Sequence, residues 1–545
     1  MIFDIQALPD NFTLEADICI VGAGPVGITL ALKLAGNGRR IVVLEGGGPG
    51  TERDSQALYR GQVDDAGLHP PPDHYRERRY GGSSTTWGGR LMPFDAIDFE
   101  ARPYIPHSGW PIDLAAVAPY YGEATQLCEA GRAAFTIEAA FDGPRRDMIA
   151  GFTGENFTTN TLERFSRPTD FGRRYRRALE TAEGLKVVLH ANVTSIARSE
   201  AGGHVIGLDV RSLRGRRGRV AAGRIILAMG GLETARLLLA SGLGRERDAV
   251  GRYYMCHIAG TIGTLKFSGP PDAVWNGYDI AGDGVYCRRR FALRPETQRR
   301  RGLGNFVARL HHPRIPDPRH RSGILSALYL ARRLVPHDYR TRLQDGEPGG
   351  VSRWLAHAGN VISDLPATFG FMVHLLRDRL LAERKYPSVV VRPKANEFSL
   401  DFHAEHAPDP DSRVVLTDDT DALGMPRLKT DWRYGAVDIK TVEGALALLE
   451  GDIARSGTGR FDYDPSAVEQ EMTRYRAYGG HHIGTARMGG NPAVSVVDKD
   501  CRVHGLDNLY VAGAAVFPTS SQANPTLTAV ALALRLAEHL KGEPR

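Results

Sequence analysis

Ala16-Asp17-Ile18-Cys19-Ile20-Val21-Gly22-Ala23-Gly24-Pro25-Val26-Gly27 decides the fold. The apolar run 16–21 reads as a buried strand, 22–27 as a tight turn, and 25–36 as a helix leading to a second strand at 40–44. Together they form a βαβ unit. Glycines in such a turn keep Cβ atoms away, let a pyrophosphate approach the backbone and let helix and strand pack closely. The helix N-terminus then offers free N–H groups and the positive end of its dipole to the phosphates. Glu45 ends the second strand 23 residues after Gly22, where a carboxylate can accept from both hydroxyls of an adenosine ribose. An acid there fits FAD or NAD and disfavours the 2′-phosphate of NADP. Gly22, Gly24, Gly27 and Glu45 are therefore the cofactor candidates of this end.

The chain has 545 residues, more than one hydrophobic core usually organises, so two domains are expected. With 42% hydrophobic and 24% charged residues, it has the balance of a globular protein. The net charge of +6 is scattered through arginine-rich pieces such as 214–219 and 299–301. No recognised nucleic-acid module accompanies it, so nucleic-acid binding is not expected. Five cysteines, Cys19, Cys128, Cys256, Cys287 and Cys501, lack metal-ligand spacing and point to a reducing compartment. Residues 1–15 show no export signal, and no apolar run approaches a membrane span; the expected location is cytoplasmic.

One domain is interrupted by another. After the βαβ unit comes Arg78-Arg79-Tyr80-Gly81-Gly82-Ser83-Ser84-Thr85-Thr86-Trp87-Gly88-Gly89-Arg90, a small-residue stretch that lets backbone approach a planar ligand. Residues 185–196 alternate as a strand, and 224–231 read as a strand ending in glycines before a helix at 232–240. From about 251 to 472 the pattern is mixed. Strand-like pieces at 398–402, 412–416 and 427–432 predict an antiparallel sheet over a substrate pocket. A last buried strand at 509–513 and a helix at 525–540 return the chain to the first sheet. The segment 313–387 carries apolar clusters interleaved with Arg332, Arg333, Arg340, Arg342, Arg377, Arg379, Arg384 and Lys385. Either it covers the core with its arginines in water, or it docks a membrane or a partner.

Near the C-terminus, His481-His482-Ile483-Gly484-Thr485 precedes Asn524-Pro525-Thr526-Leu527-Thr528 by 43 residues, counted from His481 to Asn524. With the N-terminal turn, these segments resemble the glucose–methanol–choline (GMC) oxidoreductases, flavoenzymes that oxidise alcohols and sugars. The family places its catalytic histidine in a His-x-x-Gly-Thr segment and a His or Asn further on, matched by His481 and Asn524. The 81–87 stretch and the Asn524-Pro525-Thr526 ending look most like pyranose oxidase and bacterial sugar-oxidising relatives. Pyranose oxidases carry a flavin-linked histidine before that tryptophan, whereas this chain has Thr86, so the resemblance implies noncovalent FAD. It further implies cofactor contacts from Gly82, Ser84, Val193, Gly513 and Ala514. Arg90, Arg236 and Arg487 read equally as surface ion pairs or phosphate ligands.

The expected fold class is α/β, with a Rossmann-type FAD-binding domain at 1–250 and 473–545. A substrate domain at 251–472 is built on an antiparallel sheet with helices and carries a helical basic insertion at about 313–387. Hydride leaves a carbinol carbon more readily as its hydroxyl loses a proton, so the reaction needs a base, and histidine is the natural one. His481 is the candidate base, and Asn524 hydrogen-bonds the same oxygen while also standing where a helix N-cap would. His482, adjacent on an extended segment, is expected to point away from His481. His257, His311, His312 and His504 read as structural, His257 least securely because the family places its Gly-Arg-x-x-Met segment near the flavin. No metal set is visible. The function implied is oxidation of a CH–OH group of a sugar, glycoside or related alcohol, with reoxidation by O2, a quinone or another carrier. Its rivals are an FAD-containing lyase, a NAD-binding dehydrogenase and a flavin-bearing subunit without turnover.

Overall fold

The computed structural model describes residues 1–545 except 37, 244–247, 333–349, 389, 394–395 and 543–545. Arg333, Arg340 and Arg342 of the basic segment lie outside the described residues.

Strand β1 (Phe12–Val21) ends in Ile18, Cys19 and Ile20, each fully buried, as a parallel strand covered on both faces must be. It leads through the glycine turn into α1 (Pro25–Leu34) and on to β2 (Ile41–Leu44), which runs parallel to it with Ile18 opposite Ile41. Beyond β2 lie β3 (Leu185–Leu189) and then Ile2–Asp4, both parallel. On the other side, β4 (Asn192–Arg198), β5 (Val205–Arg211) and β6 (Arg217–Leu227) form an antiparallel meander. The end of β6 pairs in parallel with both β1 and Leu509–Val511, Ile225 standing between Cys19 and Leu509. The sheet that opens the chain therefore also receives its last strand. The run at 185–196 is not one strand but two: His190 takes a φ of 56°, and β3 and β4 go to opposite sides of the sheet.

The second sheet is centred on β7 (Met255–Phe267), with β8 (Phe306–His311) and β9 (Glu397–Ala404). β9 pairs antiparallel with both neighbours, while Gly459–Asp462 and β10 (Tyr478–Ile483) pair with the other edge of β7. Thirteen-residue β7 is absent from the alternation reading because Met255 to Ala259 are buried without a break. Of the three pieces expected in this sheet, only 398–402 belongs to it. Arg413–Thr420 and Pro426–Asp431 instead form a small sheet with Gln62–Val63 and pack against α2 (Gly230–Ala240). Alternation shows that one face is covered, not which layer covers it. Strands from within 1–250 also enter this half: Phe157–Thr158 extends the second sheet, and Leu162–Phe165 and Arg90–Leu91 pair beside Tyr286–Arg289.

The connection from β8 to β9 contains helix Gly323–Leu330, α3 (Val351–Ser363) and α4 (Leu365–Leu375), the last running on through Leu376–Leu381. Helix α5 (Thr526–Gly542) closes the chain against α1.

Candidate active site

A cavity of about 1060 Å³ runs between the two sheets. At one end it is lined by Gly22, Gly24, Glu45 and Val193, midway by Gly82, Ser84, Gly513 and Ala514, and at the other end by His481 and Asn524. Ten of the eleven residues proposed from sequence thus share one space. Gly27 does not line it. A Cβ there would lie 1.9 Å from the Gly22 carbonyl oxygen, so this glycine serves the close packing of helix on strand.

The first end has the features of a nucleotide cradle. Gly22 adopts a φ of 104°, and a Cβ on it would lie 2.6 Å from the Ala228 carbonyl oxygen. A Cβ on Gly82 would reach 3.0 Å from Gly24 Cα. Gly24 stands at the N-cap of α1 with no side-chain capping bond, which leaves first-turn N–H groups available to an anion. The Glu45 carboxylate accepts from Ala23 N–H (2.8 Å) and Gly47 N–H (2.9 Å), so the acid is fixed at the lip of the turn. Arg76 and Arg78, which sequence reasoning passed over, also line this end. Both reach Glu233, at 3.2 and 3.3 Å, and both lie over the Tyr59 ring.

The reaction end is assembled by side chains. Asn524 Oδ1 accepts from Arg90 Nε (3.1 Å) and Nη2 (2.5 Å). A guanidinium only donates, so this contact fixes the carboxamide: oxygen toward Arg90, NH₂ free to donate elsewhere. The oxygen is accordingly engaged by Arg90 rather than turned back on its own helix. Arg90 is not on the surface. Its Nη1 is 3.6 Å from buried Glu163, which also meets Arg309 at 3.2 Å; Arg309 in turn holds Asp401 at 2.5 Å. Burial alone would push Glu163 up, but Arg309 and Arg90 outweigh it and hold it below the usual carboxylate range. Burial and neighbouring Arg309 lower Arg90 to about 10, so it stays charged at neutral pH.

His481 Nδ1 is 2.8 Å from His257 Nδ1, and one N–H bridges them. With that proton on His481, its Nε2 is the bare, basic nitrogen. Burial first, then the charge of Arg90 and the neighbouring His482, lower His481 to about 3, so it is neutral and able to accept. His257 is fully buried, stacks on His403 with ring centroids 4.4 Å apart, and is held well below its ordinary value by burial and His481. The reading of His257 as merely structural is corrected: it is the hydrogen-bond partner of the candidate base. His403 Nδ1 donates to the Gln522 carbonyl (2.7 Å).

His482 is supported separately, and its tautomer follows by elimination. His69 Nδ1 donates to the Pro70 carbonyl (2.6 Å), leaving His69 Nε2 to accept from Tyr254 Oη (2.8 Å). Tyr254 Oη must then accept from His482 Nδ1 (2.6 Å). His482 Nε2 is left bare and unpartnered among the described residues. The two histidines do have different neighbours, yet both line the cavity. Gly479 and Gly480 take φ of 73° and 66°, and this break in the pleat undoes strict alternation. The fold also gathers His69, Cys256 and His482, and His257, His403 and His481, each trio with ligand atoms within 4.8 Å. Sequence spacing showed neither group.

The remaining residues sort simply. Arg236 is buried among Asp421 (2.7 Å), the Leu58 carbonyl and the Pro426 carbonyl, and Arg487 lies over Tyr253 and donates to the His107 carbonyl; both are structural. His311 and His312 line the cavity, whereas His504 bonds Ser495 Oγ.

Residues 17–355 match the family described as FAD dependent oxidoreductase, and 408–533 match the one described as GMC oxidoreductase. The chain is an FAD-dependent oxidoreductase with a GMC-type C-terminal domain. The cradle described above fits FAD, and the nicotinamide and lyase readings find no support beside it. This FAD-dependent oxidoreductase is 25% identical over 610 residues to the fructose dehydrogenase large subunit of Gluconobacter japonicus, covering 97% of this chain and 98% of that one. It is 24% identical to paromamine 6'-oxidase of Streptomyces fradiae, covering 97% and 91%. A C-glycoside 3-oxidase of Microbacterium trichothecenolyticum is 35% identical over 133 residues, 24% of each chain. Among solved structures, pyridoxine 4-oxidase from Mesorbium loti shares the fold, with a TM-score of 0.54 at 18% identity over 97% of this chain and 100% of that one.

Proposed function

We propose that this enzyme oxidises a CH–OH group of a sugar, glycoside or related alcohol to the carbonyl, with His481 as base. The observation that carries the proposal is the pairing of a neutral histidine and an orientation-locked asparagine in the cavity that begins at the dinucleotide cradle. His481 takes the hydroxyl proton at Nε2. Asn524, its oxygen held by Arg90, donates its NH₂ to the same substrate oxygen and fixes the carbinol between two groups, which removes orientational cost. As negative charge grows on that oxygen, the nearby guanidinium of Arg90 stabilises it and the proton affinity of His481 rises. FAD, once bound, supplies the two-electron acceptor for the hydride. Thr86 lines the cavity but has no nucleophilic nitrogen, so the cofactor is held noncovalently.

The names of the relatives, a fructose dehydrogenase, a paromamine oxidase and a C-glycoside oxidase, support the substrate class. O2, a quinone or another carrier completes turnover. The same reading assigns 1–250 with 473–545 to the cofactor and 251–472 to the substrate, in a cytoplasmic protein. The test is anaerobic bleaching of the flavin band with mono- and disaccharides, glycosides and simple alcohols, beside His481→Ala. Bleaching by one class, lost in the variant, is expected. A yellow protein that no CH–OH compound bleaches would overturn the assignment.

A further inference from the structure

Helices α3 and α4 are turned inside out. Their polar residues His357, Asp364 and Thr368 are buried, bonded to Ser326 Oγ (2.9 Å), Gly323 N–H (3.0 Å) and the Asp364 carbonyl (2.9 Å) respectively. Their large apolar residues stand outside: Trp354 is 53% exposed, Ile362 75%, Phe369 70% and Met372 60%. Eleven of the sixteen exposed large hydrophobic residues named for the described chain fall within 351–381. A helix on the surface of a water-soluble body has the opposite arrangement, and a patch of this kind marks an interaction site.

We propose that 351–381 docks in the plane of an anionic lipid bilayer. Charge is the first reason. Between 350 and 387 lie Arg353, Arg377, Arg379, Arg384 and Lys385 against Asp364, Asp378 and Glu383. All three acids are engaged: Asp364 is buried, Asp378 pairs with Arg377 and His374, and Glu383 pairs with Arg167. Arg379 and Arg384 bond to backbone carbonyls rather than to the acids of this element. The element therefore presents surplus positive charge, which anionic headgroups attract.

The second reason is the shape of the apolar surface. On α4 and its continuation, Leu365, Phe369, Met372, Val373, Leu376 and Leu380 are all exposed, and their spacing puts them in one stripe about 100° wide along the helix. A stripe of that width is the face that an in-plane helix sinks among acyl chains. At thirteen residues for α3, and eleven plus six for α4 and its continuation, the two reach about 20 and 25 Å, short of the roughly 30 Å hydrocarbon core, and no described helix is long and apolar enough to cross a membrane. They can lie in the interface but not span it. Leu375, Arg379 and Leu380 also line the active-site cavity. Docking thus seats the cavity mouth at the lipid surface, where an apolar electron carrier or amphiphilic substrate enters without crossing water.

The test needs no turnover and so stands apart from the reaction proposed above. FAD-loaded full-length protein is sedimented with phosphatidylcholine vesicles with and without phosphatidylglycerol, at low and high salt. A triple variant, Phe369→Glu, Met372→Glu and Leu376→Glu, is run beside it; all three positions are exposed, so flavin absorbance and melting temperature should hold. Expected is binding to the anionic vesicles, weakened by salt and reduced at least about tenfold in the variant. Wild-type protein that remains in the supernatant, or a variant that binds equally well, would overturn the proposal. So would a dimer that the variant converts to monomer without vesicle binding, which would make the patch an interface between copies.

Discussion

The two ends of the cavity are built by different means. The nucleotide end is largely main chain from one local segment: glycines whose Cβ positions are occupied, a helix terminus and one carboxylate, all within 22–47. The reaction end is side chains from six distant places in two groups: Arg90 with Asn524 and Glu163, held by hydrogen bonds and an ion pair, and His481 with His257 and His403, held by a hydrogen bond and ring stacking. Local backbone shape repeats as a sequence motif, but a network spread over 435 positions from Arg90 to Asn524 does not. Disturbing the first end should therefore cost cofactor and fold, and disturbing the second should cost rate while the protein stays yellow.

His481→Ala is the sharpest case. Loss of a general base should lower the rate of flavin reduction by about 10²–10⁴-fold, with FAD content unchanged by absorbance. Gly27→Ala is its counterpart: with 1.9 Å between the new Cβ and the Gly22 oxygen, helix and strand must part. Stability should fall by about 3 kcal/mol or more, with flavin released on gel filtration; a stable, yellow, active variant would break the comparison. Arg90→Met should leave FAD bound but free the Asn524 carboxamide to turn, lowering kcat about 10- to 100-fold, more than KM changes.

The pH profile sharpens the same point. With His481 as the proposed base, turnover needs it neutral, and burial first, then Arg90 and His482, lower its titration to about 3. The log of kcat/KM should be flat through the neutral range and fall only as pH drops toward that value. Arg90→Met removes a cation and should move this limb upward. Folding is linked with the same sign: His481 binds its proton more weakly folded than unfolded, so its contribution to stability is full above about 6.5 and lost as pH falls toward 3. A melting temperature that does not decline through that window would contradict it. The smallest change is Glu45→Gln, which replaces an acceptor of two N–H groups by an amide; FAD affinity should fall about tenfold in a binding titration, with the chemical step unaffected.

The legibility of the sequence follows the same division. The βαβ unit and the return strand Leu509–Val511 were readable because each rests on a pattern within a short window, whereas His481 and Asn524 stood out through a family motif, and the fold brings both to one cavity. β7 was not, since a strand buried on both faces shows no alternation, and Arg413–Thr420 was placed in the wrong sheet because alternation names no partner. Arg90 and His257 were visible as residues but not as roles. Nothing in one dimension shows that Arg90 reaches across to Asn524, or that β7 and β10 pair so as to bring two imidazoles to 2.8 Å.

The path from β8 to β9 has one more consequence. These strands are adjacent and antiparallel, with His311 opposite Ser399, so everything between them begins and ends at two neighbouring points, about 5 Å apart. Closing that gap needs only a short hairpin turn. The intervening helices therefore leave and rejoin the sheet at one place, so exchanging them for those of a relative should change the wall they give the cavity at Leu375, Arg379 and Leu380 without shifting the register of β8 on β9. Access to the cavity could then be re-specified in one graft, with His481, Asn524 and the dinucleotide cradle left where they are.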